Sequence, residues 1–464
     1  MTELTKIFGT SGIRGAIADK VTTNLALDLG RALGTFLEGK GTVGVGTDER
    51  TSREMLRYAF ISGIVSTGTN VVDLGGAPMP TMASHSRMPG ISTSVIITAS
   101  HNPPADNGFK FFVGGREYIR SEEVFLESRV ADRQFIVADW SNIGKISHWD
   151  IRETYIQRVK EFVLQRGGKA DGMRVLVDTA NGAACNYTPH ILRDLGFKVT
   201  SVNSHSDGHF PGRPAEPSPQ NLADTMKMAA DSDFAVTLAH DGDGDRLAVI
   251  DEDGQFIDQN RVIALFARDE VRRHGGGTVV VSIDTSNVID ELVASAGGKV
   301  IRAPLGSLQE TFEKSGADDI VLASEPWKPI FMDLGKWMDG IAGAARLAQM
   351  VAEEGKGSCI ELMKTVPKYP MLRENVSCPD KIKPQFLPRV KELLLPEISG
   401  VEQVLEEDGI RIERNDGSYV LVRVSGTEPK ARLYIGAKTQ EGLDKLAAIA
   451  REIMKQVLES FDAS

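Results

Sequence analysis

A chain of 464 residues exceeds the roughly 250–300 over which a single hydrophobic core usually grows, so several domains are expected. With 41% hydrophobic and 25% charged residues the composition is that of a globular protein, and no apolar run approaches the about 18 residues that span a membrane. The formal net charge of −11 argues against nucleic acid or an anionic membrane as a partner, while leaving room for a small anion held by locally gathered cations.

The opening segment Met1 to Lys6 has neither the basic nor the apolar region of a signal peptide. Cys185, Cys359 and Cys378 are few and far apart, which suggests a reducing compartment and no cysteine-based zinc site. The expected location is the cytoplasm.

In chain order, the first feature is a glycine-rich loop from Phe8 to Gly15 that carries one arginine, Arg14. A strand from Thr42, a helix from Arg53 to Thr67, a stop at Gly68 and a strand from Asn70 to Leu74 follow. The same order returns from Arg174 to Asp178, with a helix around Ala184 to Leu195, Gly196, and a strand from Lys198 to Val202. It returns again from Thr278 to Asp284, with a helix from Asn287 to Ala296, Gly297, and a strand from Lys299 to Arg302. Three strand–helix–glycine–strand copies imply βαβ units and mainly parallel sheets.

Each copy continues into a third apolar strand and a polar loop. The strands are Ser94 to Ile97, Phe234 to Leu238 and Ile320 to Leu322; the loops carry Ser100, the run Asp241 to Asp245, and Glu325. Ligands in open α/β sheets bind beyond the carboxyl ends of strands, so the three loops are expected to share a cleft. After Pro370 the pattern changes. Strand-like runs from Gly409 to Glu413, Tyr419 to Val424 and Arg432 to Ile435 precede a helix from Gln440 to about Leu458, as in a smaller α+β domain with an antiparallel sheet.

Four stretches carry candidate chemistry. Thr98 to Pro104 leaves its strand abruptly, because Pro103 and Pro104 donate no backbone hydrogen bond, and it presents Ser100 beside His101. The same heptapeptide also suits a turn in which Ser100 and Asn102 cap backbone groups. Asn107 to Lys110 then places a lysine where it can sit over Ser100. Asp241-Gly-Asp243-Gly-Asp245-Arg246 offers three hard oxygen ligands in a tight turn, suited to Mg²⁺ or Ca²⁺. An EF-hand is rejected, since its sixth position holds Arg246 rather than glycine and both flanks read as strands. Arg423 to Arg432 combines two guanidiniums, the hydroxyls of Ser425 and Thr427, and Gly426 between two strands, as a phosphate cradle or an ordinary hairpin would.

In this order the motifs resemble those of the α-D-phosphohexomutases, which interconvert hexose 1-phosphates and 6-phosphates. The resemblance runs over essentially the whole chain: Phe8 to Gly15 is similar to the family's amino-terminal loop, Thr98 to Pro104 to its phosphoserine loop, Asp241 to Arg246 to its metal loop and Arg423 to Pro429 to its phosphate-binding loop. It implies an α/β fold of three related α/β domains, 1–150, 151–258 and 259–366, with mixed, mainly parallel sheets. A smaller α+β domain, 367–464, completes a central cleft. It implies a phosphoseryl group on Ser100 and one Mg²⁺ held by Asp241, Asp243, Asp245 and a phosphoserine oxygen, with a hexose 1,6-bisphosphate as activator. Arg14 and Lys110 would stabilise transferring oxygens, and His101 or Lys110 would handle the hydroxyl proton. Arg246, Glu325, Trp327, Arg423, Ser425, Gly426, Thr427 and Arg432 would bind the hexose phosphate.

One loop departs from the family pattern. Where members commonly read Gly-Glu-x-Ser-Gly-His, this chain has Ser324-Glu325-Pro326-Trp327-Lys328-Pro329, and Ala303 stands for a threonine nearby. The stretch Asp106 to Phe112 is similar to glucosamine-phosphate mutases, and some archaeal members carry similar Glu-Pro-Trp loops. Interconversion of glucosamine 6-phosphate and glucosamine 1-phosphate is therefore expected, with glucose or mannose phosphates next. A sugar-phosphate phosphatase and a non-catalytic sugar-phosphate sensor are the other classes. A serine hydrolase is disfavoured, because Thr98 to Asn102 makes no Gly-x-Ser-x-Gly elbow.

Overall fold

The computed structural model describes residues 6–9, 11–315, 319–426 and 428–462. The chain forms two compact units, Met1–Gln259 with Trp327–Lys364, and Asn260–Pro326 with Thr365–Ser464. Among the described residues no helix is long and apolar enough to cross a membrane.

The first unit contains a seven-stranded mixed sheet in the order Ile13–Ala16, Asp106–Val113, Thr93–Ile97, Thr42–Thr47, Asn70–Gly76, Ile146–His148, with Arg116–Glu117 beside Asp106–Val113. Thr42–Thr47 lies parallel to both Asn70–Gly76 and Thr93–Ile97, as the strand–helix–glycine–strand pattern predicts. The intervening helix Arg53–Val65 is followed by Gly68 at φ +99°, the left-handed conformation that a helix stop favours in glycine. Val43, Val45, Val95 and Ile97 alternate onto a core shared with Phe60, Phe109 and Phe111.

A four-stranded sheet in the same unit runs Ala248–Ile250, Val236–Ala239, Arg174–Asp178, Lys198–Val202. Val236–Ala239 is parallel to Arg174–Asp178 and antiparallel to Ala248–Ile250. The turn Asp241 to Asp245 joins two antiparallel strands, consistent with the rejection of an EF-hand. One expectation needs correction. The helix read over Ala184 to Leu195 is a 3₁₀ turn, Ala183–Asn186, and a separate helix, Thr188–Asp194. Pro189 is the reason: it lacks the N–H that a continuous helix would donate to Cys185 O and its ring clashes with that carbonyl, so it is tolerated only in the first turn of a new helix. Helix Gly340–Glu353, buried from Gly340 to Val351, packs on Arg152–Leu164 and Thr188–Asp194.

In the second unit, parallel strands Gly298–Ala303, Gly277–Ser282 and Ile320–Glu325 form the third copy. An antiparallel sheet runs Met371–Ser377, Lys430–Gly436, Tyr419–Val424, Ile410–Arg414, Val401–Leu405. Helices Lys383–Leu394 and Gln440–Asp462 share its core, with Phe386, Val390, Leu446 and Met454 among the buried residues. Ile283, from the third copy, packs with Tyr419, Leu421 and Tyr434 of the antiparallel sheet. Arg411 joins the same two parts. Its buried guanidinium donates to Ile283 O at 2.6 Å, Thr285 O at 2.9 Å and Glu413 Oε1 at 2.8 Å, also bonds Asn287, and lies 3.7 Å from the centre of the Tyr419 ring.

Arg411→Met keeps roughly the same volume but strips Arg411's bonds from two buried carbonyls and leaves Glu413 with Arg302 alone, and is expected to cost about 3–5 kcal/mol. All four tryptophans lie in the first unit. A urea titration followed by far-UV circular dichroism should therefore show an early transition in the variant that tryptophan fluorescence does not.

Candidate active site

Two parallel strands end side by side, since Thr47 pairs with Ile97, and the residues just beyond them build one half of the site. Thr98 Oγ1 donates to Asp48 Oδ2 at 2.7 Å, lies 3.4 Å from Asp243 Oδ2, and accepts from Ser100 N at 2.8 Å. That last bond helps hold Ser100 at φ +53°, a conformation costly for a residue with a Cβ.

Arg50, wholly buried, supplies the remaining restraint. Its Nη2 donates to Ser100 O at 2.9 Å and Asn102 O at 2.7 Å, and its Nη1 to Asp106 O at 2.9 Å and to Pro103 O. Its Nε donates to Asp48 Oδ2 at 3.0 Å. One guanidinium thus gathers four carbonyls of a turn in which two prolines remove N–H donors.

The turn Asp241 to Asp245 forms the other half. Gly242 allows the two halves to meet, since a Cβ there would stand 2.5 Å from Ser100 O. Ser100 Oγ donates to Asp241 Oδ2 at 2.7 Å, and His101 Nδ1 lies 3.4 Å from the same hydroxyl. Asp241 Oδ1 accepts from Gly244 N at 3.1 Å and Arg246 N at 3.2 Å. Lys110 Nζ donates to Asp243 Oδ2 and Asp245 Oδ2, both at 2.9 Å, in the same turn whose Asp241 accepts from Ser100. Lys328 Nζ stands 3.4 Å from Asp245 Oδ2.

Each of the three aspartates offers an oxygen within 4.8 Å of the others. Asp243 Oδ1 and Asp245 Oδ1 are buried and accept no hydrogen bond among the described residues. Buried carboxylate oxygens without donors, clustered in one turn, are a hard donor set that fits Mg²⁺.

The electrostatics separate these groups. Burial, then the Asp245 and Asp243 carboxylates, push Asp241 up to about 8. Burial also disfavours the Asp245 carboxylate, but Lys110, Lys328 and Arg246 outweigh it and hold that group well below the ordinary range. Burial opposes the Lys110 ammonium, yet Asp243 and Asp245 keep it above its ordinary value, so it stays protonated. His101 is pushed down to about 2 by burial, then by Arg246, Arg14 and Lys328, and stands as a neutral imidazole.

Arg14 sits on strand Ile13–Ala16 opposite Gly108, with Nη2 3.5 Å from Ser11 Oγ and a buried, unpartnered Nε. Arg246 donates to His101 Nε2 at 3.4 Å and to Glu216 Oε1 at 3.3 Å. Trp327 turns its ring onto Phe256, 5.6 Å between centres.

The other expected residues belong to the second unit. Glu325 Oε1 accepts from Gly306 N at 2.6 Å. Arg423 pairs with Asp408 at 2.6 Å and Arg432 with Glu428 at 3.1 Å. Ser425 Oγ accepts from Glu428 N at 3.1 Å, and the Cα of Gly426 faces open space. Thr427 lies outside the described residues. Lys383, unforeseen, closes this loop by donating to Ser425 O and Glu428 O, both at 2.6 Å. Asp48 and Arg50 were also missed, although they follow a strand's carboxyl end, the position that singled out Ser100 and Asp241.

Family profiles match nearly the whole chain. They are described as phosphoglucomutase/phosphomannomutase α/β/α domains I (residues 5–136), II (153–254) and III (258–369) and the C-terminal domain (374–453). A protein of Thermococcus kodakarensis named phosphopentomutase is 42% identical, over 98% of this chain and 99% of its own. One of Methanopyrus kandleri named probable phosphoglucosamine mutase is 38% identical, over 98% and 100%. The crystal structure of a phosphoglucomutase/phosphomannomutase family protein from Burkholderia thailandensis superposes with a TM-score of 0.87 at 25% identity, covering 98% of each chain. The chain therefore belongs to the phosphoglucomutase/phosphomannomutase family, the α-D-phosphohexomutases, and is an enzyme of the mutase kind.

Proposed function

We propose that the chain is a Mg²⁺-dependent mutase that moves a phosphoryl group between the two ends of a sugar phosphate through a phosphorylated Ser100. The observation that carries this is the buried Ser100 Oγ, presented at positive φ and 2.7 Å from an aspartate of a three-carboxylate turn. The segments 1–150, 151–258, 259–366 and 367–464 are its four domains in this reading. Three cysteines, all buried and far apart in the sequence, support the cytoplasm as its setting.

In the cycle, phosphorus passes from Ser100 Oγ to a hydroxyl oxygen of the sugar. His101 takes the hydroxyl proton, and Ser100 Oγ, 3.4 Å from His101 Nδ1, is protonated as its bond to phosphorus breaks. The bisphosphate turns over, and the phosphoryl group at its other end returns to Ser100 Oγ. A hexose 1,6-bisphosphate would load Ser100 initially. Asp241, Asp243, Asp245 and a phosphoryl oxygen on Ser100 would hold Mg²⁺, which when bound neutralises charge on the transferring group.

Lys110, kept protonated, serves as a donor to that group together with Arg14, which favours His101 over Lys110 as the base. Arg246 orients His101. Arg423, Ser425, Gly426, Thr427 and Arg432 hold the phosphate that is not transferred, and Glu325 accepts from sugar hydroxyls.

Glucosamine 6-phosphate and glucosamine 1-phosphate are the proposed pair, supported by the name of the Methanopyrus kandleri relative and by the stretch Asp106 to Phe112. A pentose 1-phosphate and 5-phosphate is the second reading. The more similar Thermococcus kodakarensis relative favours it. So does the loop after Glu325, where Pro329 has no polar side chain and Trp327 is turned onto Phe256, leaving fewer groups for a hexose's hydroxyls.

Intact mass after incubation with glucose 1,6-bisphosphate should show one added phosphoryl group in the parent and none in Ser100→Ala; equal labelling of both would sink the phosphoserine reading. Turnover of glucosamine, N-acetylglucosamine, glucose, mannose and ribose 1-phosphates, read as formation of the isomer, identifies the sugar. Steady release of inorganic phosphate without isomer would mark a phosphatase, and binding without turnover a sensor. His101→Gln should lower kcat about 10²–10⁴-fold with little change in KM. Because His101 is already neutral above about 2, its protonation removes no activity between about pH 5 and 8, so any acid limb of kcat/KM in that range should persist in the variant.

A further inference from the structure

We infer that Lys328, seated against Asp245, is a tethered counter-ion of the aspartate turn that sets how tightly the turn takes a divalent cation. The inference rests on the reading of Asp241, Asp243 and Asp245 as the metal ligands. Lys328 is a positioning residue here, distinct from Lys110, which spans Asp243 and Asp245 and serves the transferring group.

The seat is built. Lys328 is 7% exposed, and its Nζ lies 3.4 Å from Asp245 Oδ2. The residue before it, Trp327, adopts φ +79°, a left-handed conformation that a bulky side chain pays for in strain. Packing compensates: the indole lies on Phe256 and joins the cluster of Leu222, Ala229, Ala239, Ala248 and Ile250. Leu247 N donates to Trp327 O at 2.8 Å, and Asp339 N to Pro329 O at 2.8 Å. Both neighbours of Lys328 are thus tied down, one of them to the segment that follows the aspartate turn. A long, flexible side chain is aimed at Asp245 by a backbone that has little freedom to aim it elsewhere.

Charge bookkeeping gives the seat its consequence. Asp241, Asp243 and Asp245 face Lys110, Lys328 and Arg246, with Lys110 2.9 Å from two of them and Arg246 Nε 3.9 Å from Asp241. Lys110 and Lys328 stand on the carboxylates of Asp243 and Asp245, and Arg246 is shared with Glu216, so the turn is already largely neutralised. A divalent ion entering it adds two positive charges beside two buried ammonium groups, where repulsion is weakly screened. A phosphoryl group on Ser100 brings nearly two negative charges. Metal and phosphoryl group should therefore bind cooperatively, each raising the affinity for the other by the same factor. Lys328 strengthens that coupling by making the turn a poorer metal site while Ser100 carries only a proton.

The test is calorimetric titration of Mg²⁺ into the full chain, first dephosphorylated and then loaded with glucose 1,6-bisphosphate. Dephosphorylated Lys328→Gln should bind Mg²⁺ about tenfold more tightly than the parent, and Lys328→Arg within about twofold of it. The affinity gap between the two phosphorylation states should narrow in Lys328→Gln and persist in Lys328→Arg. A merely structural role would weaken metal binding, so a gain separates the two. Lys328→Met, which also removes the charge, should reproduce the gain. Unchanged or weaker binding in both neutral variants overturns the inference. Asp243→Asn in the same titration checks the reading beneath it: unaltered Mg²⁺ binding there would show that the aspartate turn is not the metal site.

Discussion

Ser100 sits in a turn whose backbone cannot satisfy itself, and the whole first half of the site follows from how Arg50 solves that problem. Two prolines remove N–H donors, and the carbonyls of Ser100, Asn102, Pro103 and Asp106 converge on one buried guanidinium. A buried cation needs a counter-charge, and Asp48 supplies it. Asp48 then accepts from Thr98, Thr98 reaches Asp243, and Asp243 meets Lys110, which also binds Asp245. The conformation of Ser100 and the charge state of the aspartates are therefore parts of one connected, buried polar network. Breaking it at any member leaves a buried charge without its partner, which is why its members are not interchangeable with neutral isosteres.

Within that network neighbouring identical groups are driven apart. Asp241 and Asp245 are the same residue type, four positions apart in one turn, yet one is pushed up by burial and its fellow carboxylates while the other is held down by cations. The group pushed up is the one that accepts the Ser100 hydroxyl. The loop from Arg423 to Arg432 in the second unit uses a related device. Arg423, Arg432 and Lys430 are paired with Asp408 and Glu428, so any anion arriving there competes with carboxylates already in place. Pre-paired cations hold the loop's shape and lower its net affinity for an anion, which suits the proposed role of holding a phosphate that is released and rebound.

Features encoded in neighbouring residues were legible in the sequence. The glycine stops at Gly68, Gly196 and Gly297, the alternate aspartates and the Ser–His pair before two prolines all announce their local geometry, and each lies where it was read. Arg50 and Lys328 were not legible, because what defines them is a partner far along the chain: carbonyls some fifty residues on, and a carboxylate some eighty residues back. Arginine and lysine in loops read as solvated unless the fold buries them. Lys110 was read from its place beside the serine loop, but its partners were not: the register of Asp106–Val113 against Thr93–Ile97 delivers it to Asp243 and Asp245. The split second-copy helix was readable from Pro189 alone, and the three-copy pattern overrode that local signal.

The first unit is discontinuous: the chain leaves it after Gln259 and returns at Trp327. The returning segment carries helix Gly340–Glu353, buried along nearly its entire length, together with the Trp327 and Lys328 seat. During synthesis the sheets that bear Ser100 and the aspartates emerge first, while the helix that covers Arg152–Leu164 and Thr188–Asp194 is still unmade. An apolar surface of the nascent unit stays bare until roughly the stretch 327–353 has cleared the ribosome, and the whole of 260–326 must be produced in the interval. Ribosome pausing or chaperone binding within that interval would bear on this protein's yield more than any event at either end of the chain.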